Sequence, residues 1–286
     1  MRLSAKIALA SIALSMGGTI GAQERPAGAT AVPLTAHEVA VRMEAKGRER
    51  ALALHELEAS RVYHLEYRGF GGNKEAEMKV RMSFHAPATK TFTVISQEGS
   101  NFIIERVFHK LLESEQEALE DQNRQATALT LDNYEFALAG YQEHPDGTHT
   151  YVLDVKPRSK NKFLYEGRIW VNGEDFAVTR IEAVPVRSPS FWIKKTQIEH
   201  VYIKVGNFWL PAENRSESQI RLGGRALLTI DYDDYRVNAT PAEQSDAGAM
   251  VSTAGSQRAK KTARNRRSRQ FGASDAALAD AVNIPK

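Results

Sequence analysis

Met78-Lys79-Val80-Arg81-Met82-Ser83-Phe84-His85 alternates apolar and polar residues without a break. Successive side chains of an extended chain point to opposite faces, so Met78, Val80, Met82 and Phe84 share one side and Lys79, Arg81, Ser83 and His85 the other. The stretch therefore predicts a strand with a buried face and a wetted face. Tyr63, Leu65 and Tyr67 repeat the pattern upstream. Residues 89–96, 149–156, 161–172, 177–184, 195–205, 213–222 and 226–237 continue it downstream. Turn signals separate the runs, among them Pro145-Asp146-Gly147, Asn172-Gly173 and Gly223-Gly224. Gly69, Gly71 and Gly72 sit between two alternating runs with no helix after them, which is a tight turn and not a nucleotide-binding loop.

Two segments break the period of two. Leu34-Thr35-Ala36-His37-Glu38-Val39 opens a helix, with Thr35 and Glu38 as a capping box and Leu34 against Val39 as a hydrophobic staple. This helix is expected to reach about Ala59, with Gly47 its weak point. The second segment is 101–123, where Phe102, Ile103, Val107, Phe108, Leu111 and Leu112 recur at helical spacing ahead of an acidic stretch. About nine or ten antiparallel strands, with one helix before them and one among them, predict a mainly β (α+β) fold in which a strongly curved sheet wraps helices. Its inner face must be filled by helices, by its own side chains or by a ligand.

The ends of the chain read differently. Arg2 and Lys6 precede an apolar run from Ile7 to Ile20 that closes on Gly21 and Ala22. The run is shorter than the roughly 20 residues a spanning helix needs, so 1–22 is expected to be a cleaved signal peptide. Residues 23–33 form an Ala, Gly and Pro-rich leader, 34–238 the folded domain, and 239–286 a disordered basic tail without periodicity. Cysteine is absent, so no disulfide supports the fold in an oxidising compartment, and Gln23 offers no thiol for a lipoprotein anchor. A soluble periplasmic protein is the expectation. The net charge of +3 hides a division: without Arg2 and Lys6 it is +1, and without Arg258, Lys260, Lys261, Arg264, Arg266, Arg267 and Arg269 it is −6. These seven cations suit an anionic membrane surface or an acidic protein, or simply solvate the tail, whereas export removes nucleic acid as a target.

Chemistry finds little foothold in the sequence. There is no Gly-x-Ser-x-Gly elbow and no phosphate-cradling loop. The eight histidines are scattered, and His144 with His149, flanking a turn, lack a third ligand at a recognisable spacing, so no metal, cofactor or catalytic residue is expected. Asp231, Asp233 and Asp234 lie in a strand run and not in a calcium loop. Phe191 and Trp192 after Pro189 read as core, as do Trp170 and Trp209.

Gly167-Arg168-Ile169-Trp170-Val171-Asn172-Gly173, followed by Val178-Thr179-Arg180-Ile181-Glu182, resembles a signature strand pair of the LolA-like outer-membrane lipoprotein-sorting superfamily. Ser190-Phe191-Trp192, Val205-Gly206-Asn207-Phe208-Trp209-Leu210-Pro211 and Leu227-Leu228-Thr229-Ile230-Asp231-Tyr232-Asp233-Asp234-Tyr235 resemble its later strands in the same order. The resemblance spans residues 35–238. It implies an incomplete β-barrel of about eleven strands closed by helices, with an apolar cavity for the acyl chains of a lipoprotein or lipid. A carrier without chemistry is then the leading expectation, and a protein-interaction or envelope-sensor module with a self-filled core the second. The candidate cavity residues are Met78, Val80, Met82, Phe84, Phe92 and Val94. Phe102, Ile103, Val107, Phe108, Leu111 and Leu112 are candidates for a lid over them, or for plain core.

Overall fold

The computed structural model describes residues 33–240, apart from 189, 190, 192 and 222. The expected signal peptide, nearly all of the leader and the seven tail cations lie outside the described residues. The chain opens with helix α1 (Ala36–Ala53), continues through strands β1 (Leu54–Gly69), β2 (Lys74–His85) and β3 (Thr89–Gly99), and then enters a helical insert. Seven more strands follow: β4 (Tyr134–Glu143), β5 (His149–Pro157), β6 (Tyr165–Asn172), β7 (Val178–Pro185), β8 (Ile193–Val205), β9 (Phe208–Ile220) and β10 (Gly224–Ala239).

All ten strands form one antiparallel sheet in the order β3-β2-β1-β10-β9-β8-β7-β6-β5-β4. Short hairpins join consecutive strands within each arm, and β10 returns to β1 to unite the arms. β3 and β4 are the two edges and do not pair, so the sheet stays open and is not a closed barrel.

Strand register divides the inner row from the outer row. Leu57, Ala59, Arg61, Tyr63 and Leu65 are the buried residues of β1, and they stand beside the buried Ala76, Met78, Val80 and Met82 of β2. The same row crosses the sheet through Ile230 opposite Asn214, His200 opposite Ile181 and Ile169 opposite Leu153. The alternation of 78–85 is thus the inner and outer face of β2.

One expected boundary shifts and one strand is new. α1 begins as its capping box demands, with the Thr35 amide donating to Glu38 Oε2 at 2.8 Å and the Glu38 amide to Thr35 Oγ1 at 3.3 Å. It ends at Ala53, six residues before the expected Ala59. Leu57 and Ala59 continue the inner row of β1, Leu57 pairing with Phe84 on one side and Val237 on the other and Ala59 with Met82, and that pairing outweighs helical preference. β4 was hidden because Ala and Leu crowd its centre and a register shift between Leu138 and Gly140 breaks the alternation.

The apolar residues of the inner face gather into two main clusters. Beneath the insert are Tyr63, Leu65, Met78, Val80, Leu228, Ile230 and Tyr232. Beneath α1, Val39 and Met43 meet Tyr134, Tyr151, Leu153, Ile169, Val171 and Ile181. Between them the row turns polar: Thr196 and His200 of β8, and Asn214, Ser216 and Ser218 of β9, are all buried. Thr196 and Ser218 share a hydroxyl hydrogen bond of 2.9 Å, and Asn214 Nδ2 donates to the Tyr232 hydroxyl at 2.9 Å. None of the described helices is long and apolar enough to cross a membrane.

Candidate functional site

The insert joins the two unpaired edges of the sheet and covers its inner face. Its course is set by Gly99, whose φ is +94° and whose backbone lies so close to Glu75 that an added Cβ would sit 2.4 Å from the Glu75 carbonyl oxygen. Only glycine accepts both conditions at low cost. β3 stops there, and the Ser100 amide donates back to Glu75 O at 2.8 Å as the chain turns inward.

The single amphipathic helix expected over 101–123 is instead built of four pieces. They are α2 (Asn101–Ile103), a π-helical turn (Ile104–Phe108), α3 (His109–Ala118) and α4 (Asp121–Thr127). The π-helical turn falls in the middle of the apolar stretch, closed by the His109 amide on Ile104 O. Such turns are rare and weaker than α-helix, and they recur at functional positions. Ile103, Ile104, Val107, Phe108, Leu111 and Leu112 are buried against the sheet, Phe108 completely, with its ring centroid 5.9 Å from that of Tyr63. Phe102 is half-buried at the margin, with the Lys74 ammonium 4.8 Å from its ring centre.

The candidate cavity residues do not line one open space. Met78 and Val80 are buried under the insert. Met82 is buried in a neighbouring cluster with Leu57, Ala59, Phe208 and Leu210, against which Phe84 and Phe92 pack half-buried. Val94 is 41% exposed, because β3 is an edge strand and a register shift precedes the Val80–Val94 pair. Phe191, expected in the core, is 74% exposed with the Arg221 guanidinium 5.2 Å from its ring centre. Trp192 lies outside the described residues. Trp170 and Trp209 are half-buried, Trp209 donating from Nε1 to Asp175 at 2.8 Å. His144 and His149 do not converge: His144 bonds Thr150 Oγ1 at 3.0 Å, and the His149 ring packs between those of Tyr141 and Tyr151.

A buried ion pair fastens the far end of the insert. Arg61 of β1 donates from Nη1 to Glu115 Oε2 at 2.7 Å and from Nη2 to Glu115 Oε1 at 3.1 Å, while the Lys90 ammonium of β3 reaches Oε1 at 2.5 Å. Arg61 also donates to the Tyr63 hydroxyl at 3.2 Å, and its guanidinium lies 5.0 Å from the Tyr232 ring centre and 5.4 Å from that of Phe92. Both members of the pair are almost fully buried. Burial alone would push the Glu115 carboxyl up, but the charges of Arg61 and Lys90 outweigh it and hold Glu115 down at about 2. Burial pulls Arg61 down in the same way, and Glu115 more than offsets it. Removing one partner would leave the other a bare charge in an apolar core, which costs far more than an exposed pair is worth.

Sequence reasoning missed this pair, although each member carries a signal. Arg61 interrupts the inner row of an otherwise apolar strand face. Glu115 follows Phe108, Leu111 and Leu112 at helical spacing on the apolar stripe. A charge on each of two buried faces asks for a partner.

The outer face of the sheet presents different chemistry. A broad groove of about 720 Å³ crosses β5 to β9, lined by Asp154, Glu166, Glu182, Glu199, Arg215 and Glu217 among others. Charged side chains thus mark this groove, whereas the buried apolar clusters lie on the opposite face, under the insert and α1.

No protein-family model matches the chain, and no curated protein matches it significantly. Solved structures do. A DUF1329 family protein from Desulfovibrio piger is 14% identical, over 73% of this chain and 94% of that one, at a TM-score of 0.36. A LolA superfamily protein from Nitrosomonas europaea is 12% identical, over 73% and 96%, at 0.32. A Vibrio parahaemolyticus domain assigned to outer membrane lipoprotein sorting is 11% identical, over 72% and 95%, at 0.34. At these values the likeness reaches no further than the fold.

Proposed function

We propose that this chain is a periplasmic binding protein for an acylated ligand, a lipoprotein or a lipid, and that residues 101–118 are the lid over its apolar site. The observation that supports this reading is the way the insert is held. Its apolar stripe rests on β1, β2 and β10 through a π-helical turn, while one buried ion pair fixes its end to the sheet.

The energy scale favours exchange of one cover for another. Fully burying a large aliphatic or aromatic side chain contributes about 1.5–3 kcal/mol, so the six buried apolar side chains of the lid contribute roughly 9–18 kcal/mol. A chain of about 16 carbons gains roughly 13 kcal/mol on leaving water, at about 0.8 kcal/mol per methylene. The two covers are close in worth. A lid lifted into water alone is strongly disfavoured, whereas a lid replaced by an acyl chain is nearly balanced. No chemistry is required of such a site, only apolar area and a few polar groups at its mouth. The tail cations Arg258, Lys260, Lys261, Arg264, Arg266, Arg267 and Arg269 then bring the carrier to an anionic membrane surface or to an acidic partner.

A second reading has an observation of its own. The inner face is already filled, with Phe108 at 0% exposure, as a self-filled module that docks proteins would have it. Purification without detergent, solvent extraction and mass spectrometry separate the two. Stoichiometric lipid or acyl-peptide in the extract supports the carrier; an empty extract with no uptake of added fluorescent fatty acid supports the docking module.

A further inference from the structure

We infer that the outer face of the β1–β2 hairpin carries a divalent-cation site formed by His64, Glu66 and Glu75, with the ligand preference of Zn²⁺. His64 and Glu66 are two residues apart on β1 and so share its outer face. Glu75 of β2 is the register partner of Glu66. His64 Nε2 lies 3.6 Å from Glu66 Oε1 and 3.4 Å from Glu75 Oε1, and all three donor atoms fall within 4.8 Å of one another. Nitrogen and oxygen ligands bind zinc at about 2.0–2.2 Å, so neighbouring corners of a tetrahedron around it are separated by roughly 3.3–3.5 Å. Two of the three edges already have nearly that length. The third closes by rotation of Glu75, whose side chain is 67% exposed.

The surroundings fit the same assignment. Arg68 grips the other oxygen of Glu66, Oε2, from Nε at 3.2 Å and from Nη2 at 2.7 Å, which leaves Oε1 turned toward His64. Partners of that kind, bonded to the far side of a ligand, orient metal ligands elsewhere. Glu77 is the register partner of His64, and Asp231 of β10 lies close enough for His64 to influence its carboxyl. Glu213 adds a further acid beside Asp231, while Arg68 on Glu66 and Lys79 at 3.6 Å from Glu77 supply the nearby cations. Acids outnumber bases around one imidazole, and an imidazole with two carboxylates suits zinc better than calcium or magnesium, which prefer all-oxygen sets. Three protein ligands leave a fourth position for water or for a donor from another molecule. His64 stands on the face of β1 opposite Arg61 and Tyr63, so the site is separate from the lid and independent of the acyl-binding proposal.

The test uses the full mature chain, stripped with EDTA and titrated with zinc sulfate by calorimetry. Cobalt(II) serves as a spectroscopic probe for tetrahedral coordination. One zinc per chain, visible cobalt bands, and loss of affinity by about tenfold or more in His64→Ala and in Glu66→Gln/Glu75→Gln are expected. His85→Ala, a surface histidine beside Glu56, should bind as the parent does. Circular dichroism checks folding, and Glu75→Gln, at an exposed position, serves if His64→Ala does not fold. Zinc binding that is absent, or that survives in His64→Ala or in Glu75→Gln, overturns the assignment.

Discussion

α1 and the helical insert both cover the inner face of one sheet, yet they are attached by opposite means. α1 is set by local sequence, with a capping box at its start and Val39 and Met43 laid on β4 to β7. The insert has no side-chain cap at the N-terminus of any of its pieces, passes through a π-helical turn, and is tied to the sheet by Arg61 and Glu115, residues far apart in sequence. A cover made of local signals forms whenever the helix forms. One tied down by Arg61 and Lys90 on Glu115 depends on partners that only the folded sheet supplies. On the function proposed above, the insert is the movable cover and α1 the fixed one.

The largest test removes the fastening. Glu115→Ala should lower stability by about 3–5 kcal/mol in chemical denaturation, because it strands Arg61 in the core. Arg61→Met with Glu115→Leu should recover most of that loss and slow fatty-acid uptake, since the end of the lid is then held by packing. A double variant as unstable as Glu115→Ala would mean that the pair does more than neutralise itself.

Cavities under the two covers, at Phe108 of the insert and at Ile169 of β6 beneath α1, should cost comparable amounts but act differently. Phe108→Ala and Ile169→Ala should each lower stability by about 3 kcal/mol. Only Phe108→Ala should speed hydrogen exchange at 101–118 under native conditions, while Ile169→Ala leaves local opening of the lid unchanged. Equal exchange behaviour would erase the distinction between movable and fixed halves.

Acid should weaken the protein in two steps. Burial holds the His200 imidazole down at about 3 from its ordinary 6.5, so the native ring stays neutral while the unfolded chain takes up a proton. Stability from this source is full above pH 6.5 and declines as pH falls toward 3. Glu115, held at about 2 against an ordinary 4.5, contributes stability above pH 4.5 that is lost as pH falls toward 2. Denaturation midpoints should therefore drop first between pH 6.5 and 4.5. His200→Gln should flatten that upper step and leave the lower one.

The smallest effect belongs to the fixed cover. Thr35→Ala removes one half of the capping box and should cost about 1 kcal/mol, without altering uptake.

The parts legible in the sequence were those written in local periods. The faces of β2 followed from the alternation at 78–85, and the start of α1 from Thr35 and Glu38. Of the stripe Phe102, Ile103, Val107, Phe108, Leu111 and Leu112, all but the marginal Phe102 are buried on one apolar face, but nothing local announces the π-helical turn inside it. What escaped was set by tertiary pairing. The end of α1 moves because Leu57 gains strand partners on both sides and Ala59 gains Met82 on one. Val94 and Phe84 parted company because Val94 sits on an edge strand past a register shift, which strand alternation does not encode. His64 looked solitary because Glu75 comes opposite Glu66 only once the hairpin register is fixed.

A lid over the inner face must move when that face takes a ligand. Hydrogen–deuterium exchange of the delipidated protein, with and without a saturating long-chain fatty acid, measures this directly. Faster exchange across 101–118 on binding, with α1 and β4 to β7 unchanged, is the predicted result. Binding that leaves 101–118 unchanged or more protected would contradict it.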